Sequence, residues 1–557
     1  MTIKDCLNRA ANENRDKVAL RFKRNGTWDT TTFGQLRDRA WHVSEILASL
    51  GVVEGDRVAI YRENSPEWFE IYHGIVGIGA IAVPVDAKLR EQEVRHIFHD
   101  CGVSVVFASS RFAETLSGMD ENLTDLQAIV LLDGTDRSDS DDSKMYYFDH
   151  LLEKVAEKAK SNERAFDRMG PTASSPASFI YTSGTTGRQK GAVLTHHNFM
   201  TNVVSVLKAI PFRSDDNFLL ILPLHHSFAF TAIVLIPLYA RCQVTLVENL
   251  KTIKANMIET SPTVLLAVPL LLEKILARVM EGIRSNKVAR VMYRYGLAKV
   301  VGRKVNAGLG GALRLIVSGG APISPSTLNA WSKLGFCIVE GYGITETAPV
   351  LSINPPARPR VGTVGLPLEG VEIKIDNPDS DGVGEIIARG DNVMQGYYNN
   401  PEETAKVLVD GWYHTGDLGY FDAKGYLVIS GRKKSLIVSR EGKNIYPEEV
   451  EQQVLQSDLV LECLAIGYRE PEETGERVGL IAVPNQERFD QMEQESGERL
   501  TEGRIGELVQ EDIRKWLLAL SDYKRPRRVD IRFEEFEKTT TQKIKRYLYA
   551  IDTGGQS

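Results

Sequence analysis

The ten residues from Thr182 to Gly191, TSGTTGRQKG, bring together four hydroxyls, three glycines and two cations. Hydroxyls and glycine amides are a dense set of hydrogen-bond donors, and a backbone without Cβ atoms can come close to an anion. The stretch therefore suits a polyphosphate, with Lys190 supplying the charge. The spacing excludes a Walker A loop, which ends in Gly-Lys-Ser/Thr after a longer gap between its glycines. Here Gly184 and Gly187 enclose two residues and Lys190 precedes a glycine. A surface turn is the plainer reading, but a turn has no need of two cations among so many hydroxyls. A second polar stretch, DGTDRSDSDDSK from Asp133, is acidic enough to suggest calcium. It lacks the glycine and the closing glutamate of an EF-hand loop and reads as a solvated excursion.

These residues need a scaffold. A chain of 557 residues exceeds what one hydrophobic core supports, so more than one domain is expected. With 43% hydrophobic and 25% charged residues it is neither disordered nor fibrous, and a net charge of -7 leaves no global cationic field for nucleic acid. Five cysteines stand far apart, as buried thiols in a reducing cytosol would. The charged N-terminus does not read as a secretory signal, and the most apolar run, Phe228 to Ala240, is too short to span a bilayer.

The first part alternates strand and helix patterns: RVAIYREN, then Ser65-Pro66-Glu67 as cap and first turn, then apolar residues at helical spacing from Trp68, then the β run AIAVPV. Such alternation means an α/β layered domain. From Pro269 to Lys304, apolar residues at helical spacing give way to a basic stretch, with nine Lys/Arg against one acid between Lys274 and Lys304. The expected form is a core-packed helix with a solvated basic face, the alternative being an interfacial membrane helix. The last part is a compact α+β unit, with a helix starting at Pro447, strands LECLAIGY and VGLIAVP, and a helix over Ile505 to Leu520.

The phosphate loop in its setting, YTSGTTGRQKGAVLTHHN, resembles that of the adenylate-forming superfamily of acyl-CoA synthetases, luciferases and peptide-synthetase adenylation domains. Further matches follow in the family's order: LPLHHSF (222–228), SGGAPIS (318–324), EGYGITETAP (340–349), GEIIARGDNVMQGYY (384–398), WYHTGDLGY (412–420), GRKKSLIV (431–438), GKNIYPEEVE (442–451) and TTTQKIKR (539–546). The extended segment between VPLLLEKI and LRLIVSGGAP, together with GKNIYPEEVE, most resembles bacterial long-chain fatty-acyl-CoA synthetases. The implied fold is a large layered α/β domain with mixed sheets over 1–431 and a small mobile α+β domain over 432–557. The implied reaction makes acyl-AMP and pyrophosphate from a carboxylate and ATP, then a thioester from the adenylate and CoA, with Mg²⁺ as the metal.

The resemblance also assigns roles. Thr182, Ser183, Gly184, Thr185, Thr186, Gly187 and Lys190 are implied to hold the pyrophosphate end, and Glu346 the Mg²⁺. Gly320, Ala321 and Pro322 with Glu340, Gly341, Tyr342, Gly343 and Thr345 are implied at the adenine, Tyr342 as the stacking face. Asp417 is implied to accept the ribose hydroxyls and Arg432 to help there or at the phosphates. Lys543 fills the place of the C-terminal catalytic lysine, although Gln542 replaces the usual glycine and Lys538 and Lys545 lie close by. Lys434 falls at the hinge, Gly442 at the pantetheine approach, and His226 and Phe230 at the acyl pocket. Several questions stay open: a separate acyl-carrier protein instead of CoA, a medium-chain or aromatic acid, a homodimer, and peripheral contact at the inner membrane face. A luciferase-like diversion of the adenylate is opposed by Val438, where luciferases carry lysine. A non-enzymatic nucleotide or acyl-chain sensor would predict damage among these residues, yet all are present.

Overall fold

The computed structural model describes residues 1–550 except 120–122, 134–143, 159–164, 169, 184–187, 440–442, 471–474 and 539–543. The acidic stretch 134–143, Gly184, Thr185, Thr186, Gly187, Gly442 and Lys543 thus lie outside the described residues. The chain divides into two compact units, Met1–Ile373 with Ala388–His414, and Lys374–Ile387 with Thr415–Ser557.

Two large sheets organise the first unit. In one, the described strands run in the order Gly396–Tyr397, Gln189–Thr195, Pro176–Ser183, Ile81–Val85, Arg57–Tyr61, Val103–Ala108, Ala128–Leu131 and Met145–Tyr147. The last five strands run parallel, as the βαβ reading requires, while Pro176–Ser183 and Gln189–Thr195 form an antiparallel pair in the register Thr182↔Lys190. The described ends of the glycine-rich stretch, Thr182–Ser183 and Gln189–Lys190, therefore lie on paired antiparallel strands. The second sheet has a parallel centre, in which Val264–Ala267, Leu315–Ser318 and Ile338–Gly343 are neighbours.

Helix Pro66–Gly77 forms where the sequence places it. The Ser65 side chain accepts a hydrogen bond from the Trp68 amide, and Pro66 occupies the first turn, where its missing N–H costs nothing. Its buried face enters an aromatic cluster: Trp68 stacks on Tyr72 at 5.5 Å, Tyr72 meets Phe230 at 4.6 Å, and Phe199 meets Phe230 at 5.1 Å. The apolar run after Phe228 is a buried helical segment, opening with a π-helical turn over Phe230–Leu235.

The segment after Pro269 departs from the expected single helix. It folds as three, Pro269–Ser285, Lys287–Arg294 and Ala298–Ala307. Asn286 starts the second by accepting from the Ala289 amide, and Gly296 turns the chain with φ at +88°.

The second unit carries strands Val460–Tyr468, Arg477–Pro484 and Arg528–Ile531, packed against helices Pro447–Val454 and Glu502–Leu517 through Val450, Val454, Leu480, Val509 and Ile513. Four of the five cysteines are buried and Cys337 is partly so; none is disulfide-bonded.

Two helical glycines should respond oppositely to the same change. A Cβ at Gly302 would collide with the Leu334 carbonyl oxygen, whereas one at Gly282 meets nothing. Gly302→Ala is expected to cost about 1–3 kcal/mol, and Gly282→Ala to stabilise by about 0.5–1 kcal/mol. The shift of the urea midpoint measures both.

Candidate functional site

The phosphate hairpin sets the first charge. Lys190 is only 17% exposed and ion-pairs with Glu403, which also pairs with Lys406. The hydrogen bond from Lys190, and then that from Lys406, hold the Glu403 carboxyl down at about 2. The Lys190 ammonium also lies 5.4 Å from the centre of the Tyr397 ring. Thr182, cross-strand from Lys190, is half-buried.

Tyr397 links this cation to the carboxylate assigned to the metal. Its hydroxyl donates to Glu346 Oε1 at 2.8 Å and is itself hydrogen-bonded by Tyr413, and burial pushes both phenols upward. Glu346 sits in the short turn Thr345–Thr347, anchored where the Met394 amide donates to its carbonyl oxygen. Its second carboxylate oxygen takes no hydrogen bond from a described residue. A hard oxygen donor with one lone-pair edge fixed and the other available fits Mg²⁺. Thr345 shares a 2.9 Å hydrogen bond with Ser227.

Adjacent parallel strands bring the adenine motifs together. Ser318 pairs with Glu340 in register, so SGGAPIS leaves the sheet at the strand end beside Glu340, while EGYG continues as strand and pairs antiparallel with Val350–Ile353; ligands of α/β sheets bind at such strand ends. Gly320 has φ at +83°, a conformation that favours glycine, while a Cβ at Gly343 would strike the Pro349 carbonyl oxygen. Ala321 is exposed at this edge, as is Pro322, and Gly341 and Tyr342 are half-buried. Burial pushes the Glu340 carboxyl up from 4.5 to about 8, only partly offset by a hydrogen bond from the Ile323 backbone.

The acyl-side residues separate. His226 Nε2 lies 3.1 Å from His225 Nε2, which lies 3.3 Å from Asp86 Oδ2. Phe228 packs against Gly319, where a Cβ would come within 3.1 Å of its ring. Phe230, by contrast, is 1% exposed and belongs to the aromatic core cluster.

In the second unit, Asp417 faces Arg432 across an antiparallel pair, and its Oδ1 takes a 2.7 Å ion pair from Arg432 Nε. Asp417 is buried while Arg432 is exposed, so the carboxylate is held and the guanidinium reaches outward. Lys434 is exposed in the turn Lys433–Ser435 at the end of strand Leu427–Arg432, with Lys433 tied to Glu385 at 2.7 Å. Lys538 pairs with Glu462 and Glu535, both at 2.8 Å, and Lys545 lies 3.8 Å from Glu537.

Reasoning from the sequence did not single out Glu403, Tyr397, Tyr413, Asp86 or His225. The Asn400-Pro401 start of helix Pro401–Val407 makes Glu403 look like an ordinary first-turn acid. Only the fold brings it to a lysine 213 positions earlier.

Two open α/β sheets, with a glycine-rich hairpin, a cation and a carboxylate gathered in one unit, define an adenylate-forming enzyme. The chain belongs to the AMP-binding enzyme family, whose model matches residues 7–398. It is 28% identical over 569 residues to a long-chain-fatty-acid–CoA ligase of Mycobacterium bovis, covering 94% of this chain and 91% of the relative. It is 31% identical over 460 residues to a feruloyl-CoA synthase of an Amycolatopsis species, covering 81% and 83%. Among solved structures, ATP-bound MatB from Rhodopseudomonas palustris superposes with a TM-score of 0.78 at 25% identity, covering 98% of both chains.

The raised Glu340 carboxyl makes stability depend on pH. The native state holds this proton more tightly than the unfolded chain, so the stabilisation is complete below 4.5 and is lost as pH rises through about 8. Glu340→Gln, which has no proton to lose, is expected to melt a few degrees above the parent at about pH 9 and level with it at about pH 4. Thermal unfolding across that window is the measurement.

Proposed function

We propose that the chain is an ATP-dependent acid–CoA ligase that activates a long-chain fatty acid through acyl-AMP, releasing pyrophosphate and then AMP. The observation that carries this reading is the cluster Lys190–Tyr397–Glu346, a cation and a metal-competent carboxylate bridged by one phenol beside the phosphate hairpin. ATP, Mg²⁺ and CoA are its reactants and metal.

In the first half-reaction a substrate carboxylate oxygen attacks the α-phosphorus of ATP and pyrophosphate leaves. The step needs positioning and charge neutralisation more than covalent help. Lys190 exchanges its partner Glu403 for phosphate oxygens, and Thr182 with the loop residues Ser183 to Gly187 donates to them. Bound Mg²⁺, held through Glu346, supplies charge neutralisation on the phosphates. Asp417 accepts the ribose hydroxyls, oriented by Arg432. Glu340 to Gly343 and Gly320 to Pro322 bracket the adenine.

We place the acid side at Phe228, with His226 at its mouth, backed by His225 and Asp86. Lys543 is the cation that bridges the carboxylate and the α-phosphate. Its basic neighbours Lys538 and Lys545 stand beside acids of their own, which supports Lys543 rather than either of them. In the second half-reaction the CoA thiol attacks the acyl carbonyl and AMP leaves, with the body 432–557 turned about Lys434 and the pantetheine passing Gly442. Lys434 lies in the turn just past a strand, where a backbone change disturbs few hydrogen bonds. The free thiols agree with a cytoplasmic setting.

A second reading, an aromatic acid as substrate, is favoured by the feruloyl-CoA synthase relative, which is the more similar per residue although over less of the chain.

Lys190→Ala is expected to lower acyl-AMP formation by about 100- to 1,000-fold, the usual loss of an electrostatic stabiliser, read as pyrophosphate release. Lys543→Ala is expected to lose acyl-AMP formation yet largely keep thioester formation from supplied acyl-AMP; equal survival of both half-reactions removes its assignment. A panel of acids assayed for CoA-dependent pyrophosphate release tests the substrate. The fatty-acid reading expects long-chain acids to give the highest kcat/KM, and a cinnamate-type acid in first place overturns it.

A further inference from the structure

Helices Lys287–Arg294 and Ala298–Ala307 turn a face outward that an ordinary solvated surface does not explain. Val288, Val291, Tyr295, Leu297 and Val300 are all large and apolar, and all between 43% and 73% exposed. Single exposed apolar residues are unremarkable. These five fall within thirteen positions of one helical hairpin, and a contiguous apolar patch marks an interaction surface.

The helical period shows that the core does not claim them. At 100° per residue Ala289, Met292 and Tyr293 share one side of the first helix, and these are the residues that pack on the underlying cluster with Leu272 and Trp331. Val288 and Val291, with Tyr295 just past the helix end, form a second stripe that turns away from that side. Beside it on the same outward surface run Lys287, Arg290 and Arg294, all exposed. The second helix repeats the arrangement, burying Ala298 and Val301 and exposing Val300 with Lys299, Arg303 and Lys304.

The charge on this surface is of one sign. No Asp or Glu occurs between Glu281 and Glu340, and none of the six cations lies within ion-pair distance of an acid among the described residues. Basic residues on proteins are commonly matched by neighbouring acids, as elsewhere in this chain; here the field is left uncompensated. An apolar stripe beside an unmatched basic one is the arrangement that seats in a bilayer interface, with valine and tyrosine among the acyl chains and lysine and arginine at the phosphates. No helix among the described residues is long and apolar enough to cross a membrane, so the contact is with one leaflet.

We infer that this hairpin is a docking surface for an anionic lipid bilayer. The inference stands on exposure and charge and holds whichever acid the enzyme activates.

The full chain, floated with vesicles of phosphatidylcholine alone or mixed with phosphatidylglycerol, supplies the test. Binding is expected to the mixed vesicles, weakened as salt is raised. Lys287→Glu, Arg290→Glu and Arg294→Glu together should lower that binding on the order of 100-fold, at about fivefold for each cation. Val288→Ser, Val291→Ser and Tyr295→Ser together should also weaken it, while what binding is left keeps its salt dependence. Unchanged melting temperature and unchanged pyrophosphate release with a water-soluble acid confirm that both variants are folded. The inference is overturned by absence of binding to mixed vesicles, by equal binding to both compositions, or by variants that bind like the parent. It is also overturned if sedimentation shows a dimer that the serine substitutions dissociate with vesicle binding intact, because the face then belongs to a second copy.

Discussion

A lysine that is to meet phosphate must be held ready, mostly out of water, before any phosphate arrives. Lys190 meets that constraint with a carboxylate on one side, Glu403, and the face of Tyr397 on the other. Taking an ammonium out of water without a partner costs several kcal/mol, so the resting ion pair is part of the site. In the function proposed above its consequence is exchange: an incoming polyphosphate would replace one anion by another, with the cost of desolvating the lysine already met. Tyr397 couples the cation to Glu346, so that the charge proposed for the phosphate and the ligand proposed for the metal share one side chain.

In the first unit's second sheet a parallel strand register sets two further motifs side by side. Ser318 and Glu340 sit opposite one another in register, and from that pair one glycine-containing motif leaves the sheet while the other runs on as strand to Gly343. Their glycines answer different demands. Gly320 supplies a positive φ, and Gly343 supplies the room that a passing carbonyl needs. In the second unit the same economy appears in the Asp417–Arg432 pair, where one strand register fixes an acceptor and leaves its cation reaching outward.

The basic hairpin shows how far local pattern carries. Its periodicity is helical, and helices form, but Asn286 and Gly296 divide the segment into pieces that the apolar repeat alone does not reveal. The repeat also cannot tell which of two apolar stripes faces the core. Ala289, Met292 and Tyr293 take that place, and the larger share of aliphatic surface is left outside.

Much of the fold and site was legible because the relevant physics is local. Caps such as Ser65-Pro66 and the two-residue and 3.6-residue periods depend on neighbours a few positions apart, and each appears in the structure near where the residue order puts it. What the order of residues could not disclose is every pairing made across the chain: Glu403 with Lys190, Tyr397 with Glu346, His225 with Asp86, and the burial of Phe230 among Trp68, Tyr72 and Phe199. An acid in a helix's first turn, or a phenylalanine in an apolar run, looks the same whether it serves a cap, a core or a site. Only packing distant segments together decides which charge is desolvated and which partner stands within reach, because Coulomb and hydrogen-bond energies depend on distance in space and on the water excluded between the groups.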